Sequence, residues 1–377
     1  MCFRPAAHSR EPWYVARRLA SAALLVIAAS CSGGGSGSGS GGSEAGGRVA
    51  GIVFDWSTYH ERAPGSDNWP LTWCEDDHQY TSWGDGGGFG GTNLDGRVSL
   101  GFARIEGPYE TFQVQNLWGG QDPVVDADFN GKVTSMLCLD GVLYAWHSPG
   151  ASEAAFDWQQ LIVSEDKGIT WEENAIPQSR VDGCVGCPGL PYTINYGRNY
   201  AANRDGYVYT YWIEIQDPTL WDVQIPGVLW LTRAPVAGDA FTNTTSWEWL
   251  TGIGAGGSPS WGAEADRAPV LEDPDGFMRG SAIYVPGLDR YLMVTNHTAR
   301  NMGNIAIREA PSPWGPWSVV LKDDDWPADD PTAPVGAEFA FGNMSPRWFS
   351  ADGRSGVMVW FRPDRWNSAA FELELAP

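Results

Sequence analysis

Two aspartates flank a short aromatic segment: Asp67 in GSDNW (65–69) and Asp85 in GDGGGF (84–89). Far along the chain, Glu338 offers a third carboxyl. Paired carboxyl groups do proton-transfer chemistry. One protonates a leaving oxygen while the other attacks or activates water, which is what glycoside hydrolysis requires. The same stretches supply groups suited to holding a sugar: Trp69, His147, Asn195, Tyr196, Arg198, Arg279, His297 and Asn343. A Trp ring offers a flat apolar platform, and Arg198 is a candidate hydrogen-bonding clamp for a hydroxyl or carboxylate. Each also has an ordinary structural reading. A carboxylate beside a Gly-rich turn accepts backbone N–H bonds, and a His packs as readily as it binds.

For such residues to meet, distant segments must be brought to one end of a fold. Five segments share one pattern, an apolar or aromatic strand, a turn with Asp, and a second aromatic strand, at 71–86, 133–148, 192–214, 280–297 and 345–363. Their turn aspartates, Asp77, Asp140, Asp205, Asp289 and Asp352, lie 63, 65, 84 and 63 residues apart, a spacing in the range of large propeller blades. Further strand-like stretches follow each hairpin, at 97–107, 159–173, 227–235 and 304–321, but after the fifth only AFELELAP (370–377) remains. A spare strand, RVAGIVFDW (48–56), precedes the first hairpin. Closing the last blade with it hides both edges. The expectation is therefore an all-β, five-bladed β-propeller over 48–377. In that geometry residues before a blade's first strand and after its second share the funnel end, while the turn aspartates lie opposite. With Gly 47 and Pro 26 in 377 residues and charged residues at only 19%, coiled coils and helical bundles are excluded. Twenty-one Trp suggest ring platforms on the surface as well as core.

Residues 1–31 read as a lipoprotein-type export signal. Arg17 and Arg18 precede the 12-residue apolar run LASAALLVIAAS (19–30), which is too short to span a bilayer. The run ends in AASC, which resembles a bacterial lipobox with Cys31 as the lipidated residue, although Ala28 stands where that motif prefers Leu. A Gly/Ser-rich tether (32–47) follows. The expectation is an exported cell-envelope lipoprotein, at the outer membrane or cell surface, held by its N-terminal lipid. Without residues 1–31 the net charge moves from −22 to −25, which argues against nucleic acid as a partner. A monomer acting on polysaccharide or glycan is expected, with no cofactor and no metal. Cys184 and Cys187 (CVGC) are spaced for a local disulfide, leaving Cys74 with Cys138.

SEDKGITW (164–171) is similar to the sialidase Asp box, with Ser164, Asp166, Gly168, Thr170 and Trp171 at its fixed positions. The resemblance implies a hairpin turn on a blade periphery, not sialidase chemistry. More widely, SDNW with WGDGGGF, RVSLGFARIEGP, INYGRNYAANRDGYVYTYW, YVPGLDRYLMV and APSPWGPWSVV resemble domain-of-unknown-function family 4185 and its sialidase-like and furanosidase-like propeller relatives. That family includes bacterial endo-D-arabinanases, so the resemblance implies a glycan-cleaving funnel. GDGGGF departs from the usual GDTF-like turn but keeps the acid at 85. Two other readings compete: a non-catalytic carbohydrate- or protein-binding propeller, and a polysaccharide lyase with Tyr196 or a His as base. A lyase would prefer a basic funnel, which the acidic balance opposes.

Overall fold

The computed structural model describes residues 47–149, 159–177, 184–218, 222–298, 303–362 and 364–377. The expected export signal, Cys31 and all of the expected tether but Gly47 lie outside them. β1 (Val49–Arg62) leads into a four-stranded antiparallel meander of β2 (Leu71–Trp73), β3 (Gln79–Gly84), β4 (Leu100–Glu106) and β5 (Gln113–Trp118). A second meander holds β6 (Lys132–Leu139), β7 (Val142–Ser148), β8 (Gln160–Ser164) and β9 (Glu172–Pro177). The third comprises β10 (Cys187–Asn195), β11 (Tyr207–Ile215), β12 (Gly227–Pro235) and β13 (Glu248–Ile253), extended by β14 (Pro259–Gly262) and β15 (Leu271–Asp273). The fourth is β16 (Met278–Val285), β17 (Arg290–Asn296), β18 (Ile305–Ala310) and β19 (Ser318–Asp323). The chain ends in β20 (Asn343–Met344), β21 (Ser355–Phe361) and β22 (Trp366–Leu375).

β1 returns to pair antiparallel with β22, from Val49 opposite Leu375 to Arg62 opposite Trp366, so the first and last segments share one sheet. The first strands of successive units, β2, β6, β10, β16 and β20, stand next to one another. A buried bond from Ser345 Oγ to Gln79 Oε1 (2.6 Å) joins the last unit to the first. The ladder pattern gives four sheets, not five separate ones. β10 and β16 come close enough to form two parallel pairs, Ile194 with Ala282 and Asn195 with Ile283, which fuse the third and fourth meanders into a ten-stranded sheet.

Sequence pattern follows burial. Strands enclosed on both faces, such as β6 (KVTSMLCL) and β18 (IAIREA), have almost no exposed residue, and β22 alternates only toward its end. The turns between first and second strands hold Asp77, Asp140 and Asp289 in the left-handed region at φ 65°, 51° and 54°, which Asp tolerates better than most residues. One expected strand is displaced. The last unit's first strand is Asn343–Met344, ahead of the predicted start at Ser345. Pro346 lacks the ladder donor, and Arg347 turns aside to pair with Asp77 and the Gly107 carbonyl.

The tryptophans are chiefly filling. Trp69, Trp83, Trp146, Trp212, Trp360 and Trp366 are among the largest fully buried side chains. They bridge neighbouring sheets: Trp146 meets Trp212 at 5.1 Å and Trp69 meets Trp366 at 5.4 Å between ring centroids. Twisted sheets packed side by side leave wedge-shaped gaps, and large rings close them. Surface platforms are therefore not what most of the aromatic load provides.

Candidate active site at the start of the inner strands

Asp67 precedes β2 and is held by a two-residue bridge: its N–H donates to the Gly84 carbonyl and Gly84 N–H to the Asp67 carbonyl, both at 2.8 Å. This bridge sets Asp67 next to Asp85, which follows Gly84 in the left-handed conformation (φ 52°) with its N–H bonded to the Ser99 carbonyl. Glycine at position 84 leaves room for the Asp67 and Lys132 side chains. A Cβ there would collide with Asp67 Oδ1 and with the stem of Lys132. The turn before Asp67 is tied to the far end of the chain by Gly65 N–H to the Asp364 carbonyl (2.6 Å).

Three cations surround the two acids. Lys132, the first residue of β6, places Nζ 3.0 Å from Asp85 Oδ1 and 2.8 Å from the Ser99 carbonyl. Arg97 approaches the same oxygen at 3.4 Å from a more exposed position. Arg279, buried at the start of β16, donates to Asn68 Oδ1 and lies 4.4 Å from the centroid of Phe341. Asn68 in turn donates to the Val133 carbonyl.

Asp67 Oδ1 is buried and has no hydrogen-bond partner among the described residues. Burial pushes this carboxyl up to about 6; Lys132 and Arg279 pull it down, and Asp85 and Asp364 push it further up. Burial likewise draws Arg279 down to about 9, against the pull of Asp67. An open cleft of about 440 Å³ adjoins Asp85, lined by Arg97, Ser99, Asp128, Phe129 and Asn130. The arrangement sets a carboxyl that exchanges its proton near neutrality beside an ion-paired one, at the edge of a polar cleft. General acid–base work on a hydroxylated substrate needs those components.

The other residues singled out from sequence fall into three groups. Arg279 joins the Asp67 cluster, and Asn343 begins β20, where it pairs with Val359. Glu338 is more than half exposed, with Arg362 Nε as its charge partner at 3.3 Å; the carboxylates acting on Asp67 are Asp85 and Asp364 instead.

The second group is core. Trp69 is fully buried among Trp83, Phe89 and Trp366, out of reach of a sugar. His147 is also fully buried, with its ring nitrogens bonded to the Asn130 carbonyl (2.8 Å) and Gln160 Nε2 (2.9 Å). Burial draws it down to about 4, opposed by the Asn130 bond, so it is a neutral packing residue. His297 is enclosed too, with Nε2 at the Ile305 and Asp323 carbonyls, and burial lowers it below the ordinary histidine value.

The third group sits at the wrong end. Asn195 ends β10 and Tyr196 and Arg198 follow it, at the end that carries the turn aspartates. Asn195 bonds Thr72 and the Leu71 carbonyl, Tyr196 bonds Tyr291, and Arg198 donates to the Glu75 carbonyl. Arg198 also lines a separate cleft with Trp73, Tyr284 and Phe349. The cause is register: β10 starts at Cys187, five residues before the predicted hairpin, so its far end was taken for its beginning.

Both cysteine pairs are bonded, Cys184 with Cys187 in the loop entering β10 and Cys74 with Cys138 between the first two meanders. Sequence reasoning missed Lys132, Asn68, Arg97 and Asp364. Lys132 carried a readable signal, as one of three lysines in an acidic chain placed immediately before a strand.

In SEDKGITW, Ser164 Oγ donates to Asp166 Oδ1 (2.9 Å) and accepts from Gly168 N–H (2.8 Å). Thr170 bonds Asp166 through N–H (2.9 Å) and Oγ1 (2.7 Å), and Trp171 stacks on Phe102 of the first meander at 4.1 Å. The motif thus closes the β8–β9 turn and fastens one sheet to the next.

The sequence matches no protein-family model and no curated protein sequence, so the resemblance to family 4185 rests on the quoted segments alone. Among solved structures, a Bacteroides ovatus protein described as "a putative hydrolase" aligns over 85% of this chain and 90% of its own, at TM-score 0.51 and 11% identity. The likeness shows an all-β fold shared with that protein and no activity. More distant are the Podospora anserina α-L-arabinofuranosidase PaAbf62A (TM-score 0.45, 9% identity, 82% of this chain and 91% of that one) and a Penicillium chrysogenum α-L-arabinanase (0.44, 10%, 85% and 82%).

Proposed function

We propose that this chain is an exported glycoside hydrolase, furanosidase-like or endo-arabinanase-like, built as a five-bladed propeller and tethered to the cell envelope through Cys31. Dividing the ten-stranded sheet at its two parallel pairs, which leaves one antiparallel unit behind each of β2, β6, β10, β16 and β20, supports the reading of five blades. The observation that carries the functional reading is the unpartnered, buried oxygen of Asp67, on a carboxyl pushed up to about 6 beside ion-paired Asp85. Asp67 in its protonated form gives its proton to the leaving glycosidic oxygen. Asp85, beside the cleft, activates the water that adds to the sugar or attacks it directly. Arg97, Asp128 and Asn130 offer bonds to sugar hydroxyls. Glu338, expected from the sequence as a third catalytic carboxyl, pairs with Arg362 and is given no step here; Asn343 is kept as an outlying substrate contact from the last unit.

The test is release of new reducing ends from a polysaccharide panel that includes arabinans. Asp67→Asn is expected to lower kcat by about 10²-fold or more, the scale of losing a positioned acid. The wild-type rate should decline as pH rises through about 6 and Asp67 loses its proton. Near-full activity in Asp67→Asn would remove Asp67 from the mechanism. Binding without cleavage by the wild type would make the chain a carbohydrate-binding propeller.

A further inference from the structure

We propose that the cleft at the far ends of the inner strands, walled by Trp73, Tyr284 and Phe349 with Arg198 at its rim, is a second binding site, one that takes a small aromatic carboxylate. It does not depend on glycan cleavage at the acid pair. The cleft, of about 450 Å³, is built where four of the first strands end. Trp73 closes β2, residues 197–202 follow β10, 283–287 straddle the end of β16, and 346–351 follow β20. Asp67 precedes β2, so the acid pair lies at the opposite end of the same strands, and the two clefts share no lining residue.

Its walls are rings and aliphatic groups: Tyr284 is buried, Trp73 and Phe349 are half-buried, and Pro286 and Pro346 add flat apolar surface. Most polar groups along them are already engaged. Trp73 Nε1 donates to Asp77 Oδ1 (3.1 Å), and Tyr284 Oη to Asp289 Oδ1 (3.0 Å). Ser350 Oγ donates to Asp352 Oδ1 (2.6 Å), and Arg347 pairs with Asp77 at 2.9 Å. Arg198 differs. Its guanidinium donates to the Glu75 carbonyl, and among the described residues no carboxylate lies within ion-pair distance of it: that of Glu75 is on Lys167 (2.7 Å) and that of Asp77 on Arg347.

That inventory selects the ligand. A sugar brings several hydroxyls, each of which needs a partner when it leaves water, and these walls offer chiefly one donor group. A flat apolar body with a single carboxylate matches them better: ring packs on ring, and a guanidinium takes a carboxylate through parallel N–H bonds. The volume lies within the range of small-ligand sites, about 300–1,000 Å³. Arg198 is also held in place. Gly197, Asn199 and Tyr200 on either side of it have positive φ, at 69°, 52° and 63°, and a buried Tyr in that region is uncommon. Two bonds fasten the stretch, Ala202 N–H to the Tyr196 carbonyl (3.0 Å) and Gly141 N–H to Asn199 Oδ1 (2.8 Å). Such conformations persist where the surroundings enforce them, and ligand clamps are among those places. The clamp expected of Arg198 thus serves this end of the strands and not the acid pair.

The experiment titrates the full chain at neutral pH with trans-cinnamate and, separately, with cinnamamide, its uncharged isostere. Indole N–H resonances are followed by NMR, and that of Trp73 is assigned through Trp73→Phe. Cinnamate should shift the Trp73 resonance saturably, and cinnamamide should bind about 10-fold more weakly, the scale of losing one hydrogen bond to a charged group. Arg198→Gln should weaken cinnamate by about the same factor and leave cinnamamide unchanged, while Arg198→Lys, which keeps the charge without the fork, should fall between. Circular dichroism checks folding. If Arg198→Gln does not fold, Ala202→Met, which fills the cleft from its wall, should remove cinnamate binding. No saturable shift at millimolar cinnamate overturns the proposal, as do equal affinities for the two probes or an Arg198→Gln variant that binds cinnamate like wild type. Cinnamate binding that disappears in Asp67→Asn would put the ligand at the acid pair and overturn it too. The readout is silent on hydrolysis, so a blank glycan panel leaves this site standing, and an absent cinnamate site leaves the hydrolase reading standing.

Discussion

At the scale of single residues, Asp67, the proposed acid, is a cost to the fold. Its carboxyl is pushed up from 3.8 to about 6, chiefly by burial, so the folded state favours the protonated form more than the unfolded chain does. The sign follows. Stability from this group is fully present below about pH 4 and is lost as pH rises through about 6. Asp67→Asn should therefore stabilise the protein at pH 8 by up to about 3 kcal/mol, with the gain vanishing below pH 4, as read by denaturant unfolding at the two pH values. A variant that is less stable than wild type at pH 8 would mean that Lys132 and Arg279 need the charge more than burial opposes it. The two aspartates were readable in the sequence because GSDNW and GDGGGF flank one predicted hairpin, and an antiparallel pair must bring its outer ends together. Asp364 was not readable. Its charge acts on Asp67 from a position set by the backbone bond to Gly65, a closure between distant parts of the chain that no local spacing announces.

Among elements, hairpins were the most legible feature, since a turn Asp between two apolar runs constrains both strands at once. Four of the five first strands overlap their predicted positions, and the misplaced ends are instructive. β10 opens with CPGLP, whose two prolines and glycine argue against a strand, yet the segment pairs with β11 from Cys187 opposite Ile215. That single shift put Asn195, Tyr196 and Arg198 at the opposite end from the one expected. The β8–β9 turn shows the converse, a motif whose role is local and structural. Burial pushes the Asp166 carboxyl up, but the bonds from Thr170 and Ser164 outweigh it and hold the group below its ordinary value. Asp166→Ala removes the acceptor for Ser164 and Thr170 and should destabilise the protein by about 1–2 kcal/mol, a loss of a few partly exposed hydrogen bonds. Thermal unfolding checks the loss, and any glycan-cleaving rate measured below the melting range should stay unchanged. A fallen rate in a folded variant would mean that the turn reaches the acid pair.

On the scale of the whole molecule, the closure of the chain governs the site. β1 covers the edge of β22 and fills the gap beside it: Trp56 packs on Trp326 and Trp360 and bonds Asp330, Phe54 packs on Phe371, and Tyr59 bonds Asn367. It also reaches the first meander, where Tyr109 donates to the Thr58 carbonyl. β1 is thus a seam between the last and first units, and Asp67 sits just past it, anchored to Asp364 through Gly65. A chain beginning at Ala63 would present β22 as an unpaired edge and leave Trp326, Trp360 and Phe371 open to water, which favours aggregation. Residues 44–377 should unfold in a single calorimetric transition as a monomer. The chain starting at Ala63 should aggregate or melt at clearly lower temperature, and the carboxyl titration of Asp67 should shift toward that of an ordinary exposed aspartate as its enclosure loosens. Size-exclusion chromatography, calorimetry and the NMR titration read the three effects separately. A truncated chain that stays monomeric, with an unchanged melting temperature and Asp67 still titrating near 6, would show that the seam is ornamental and that the first meander encloses its acid without help from the chain's other end.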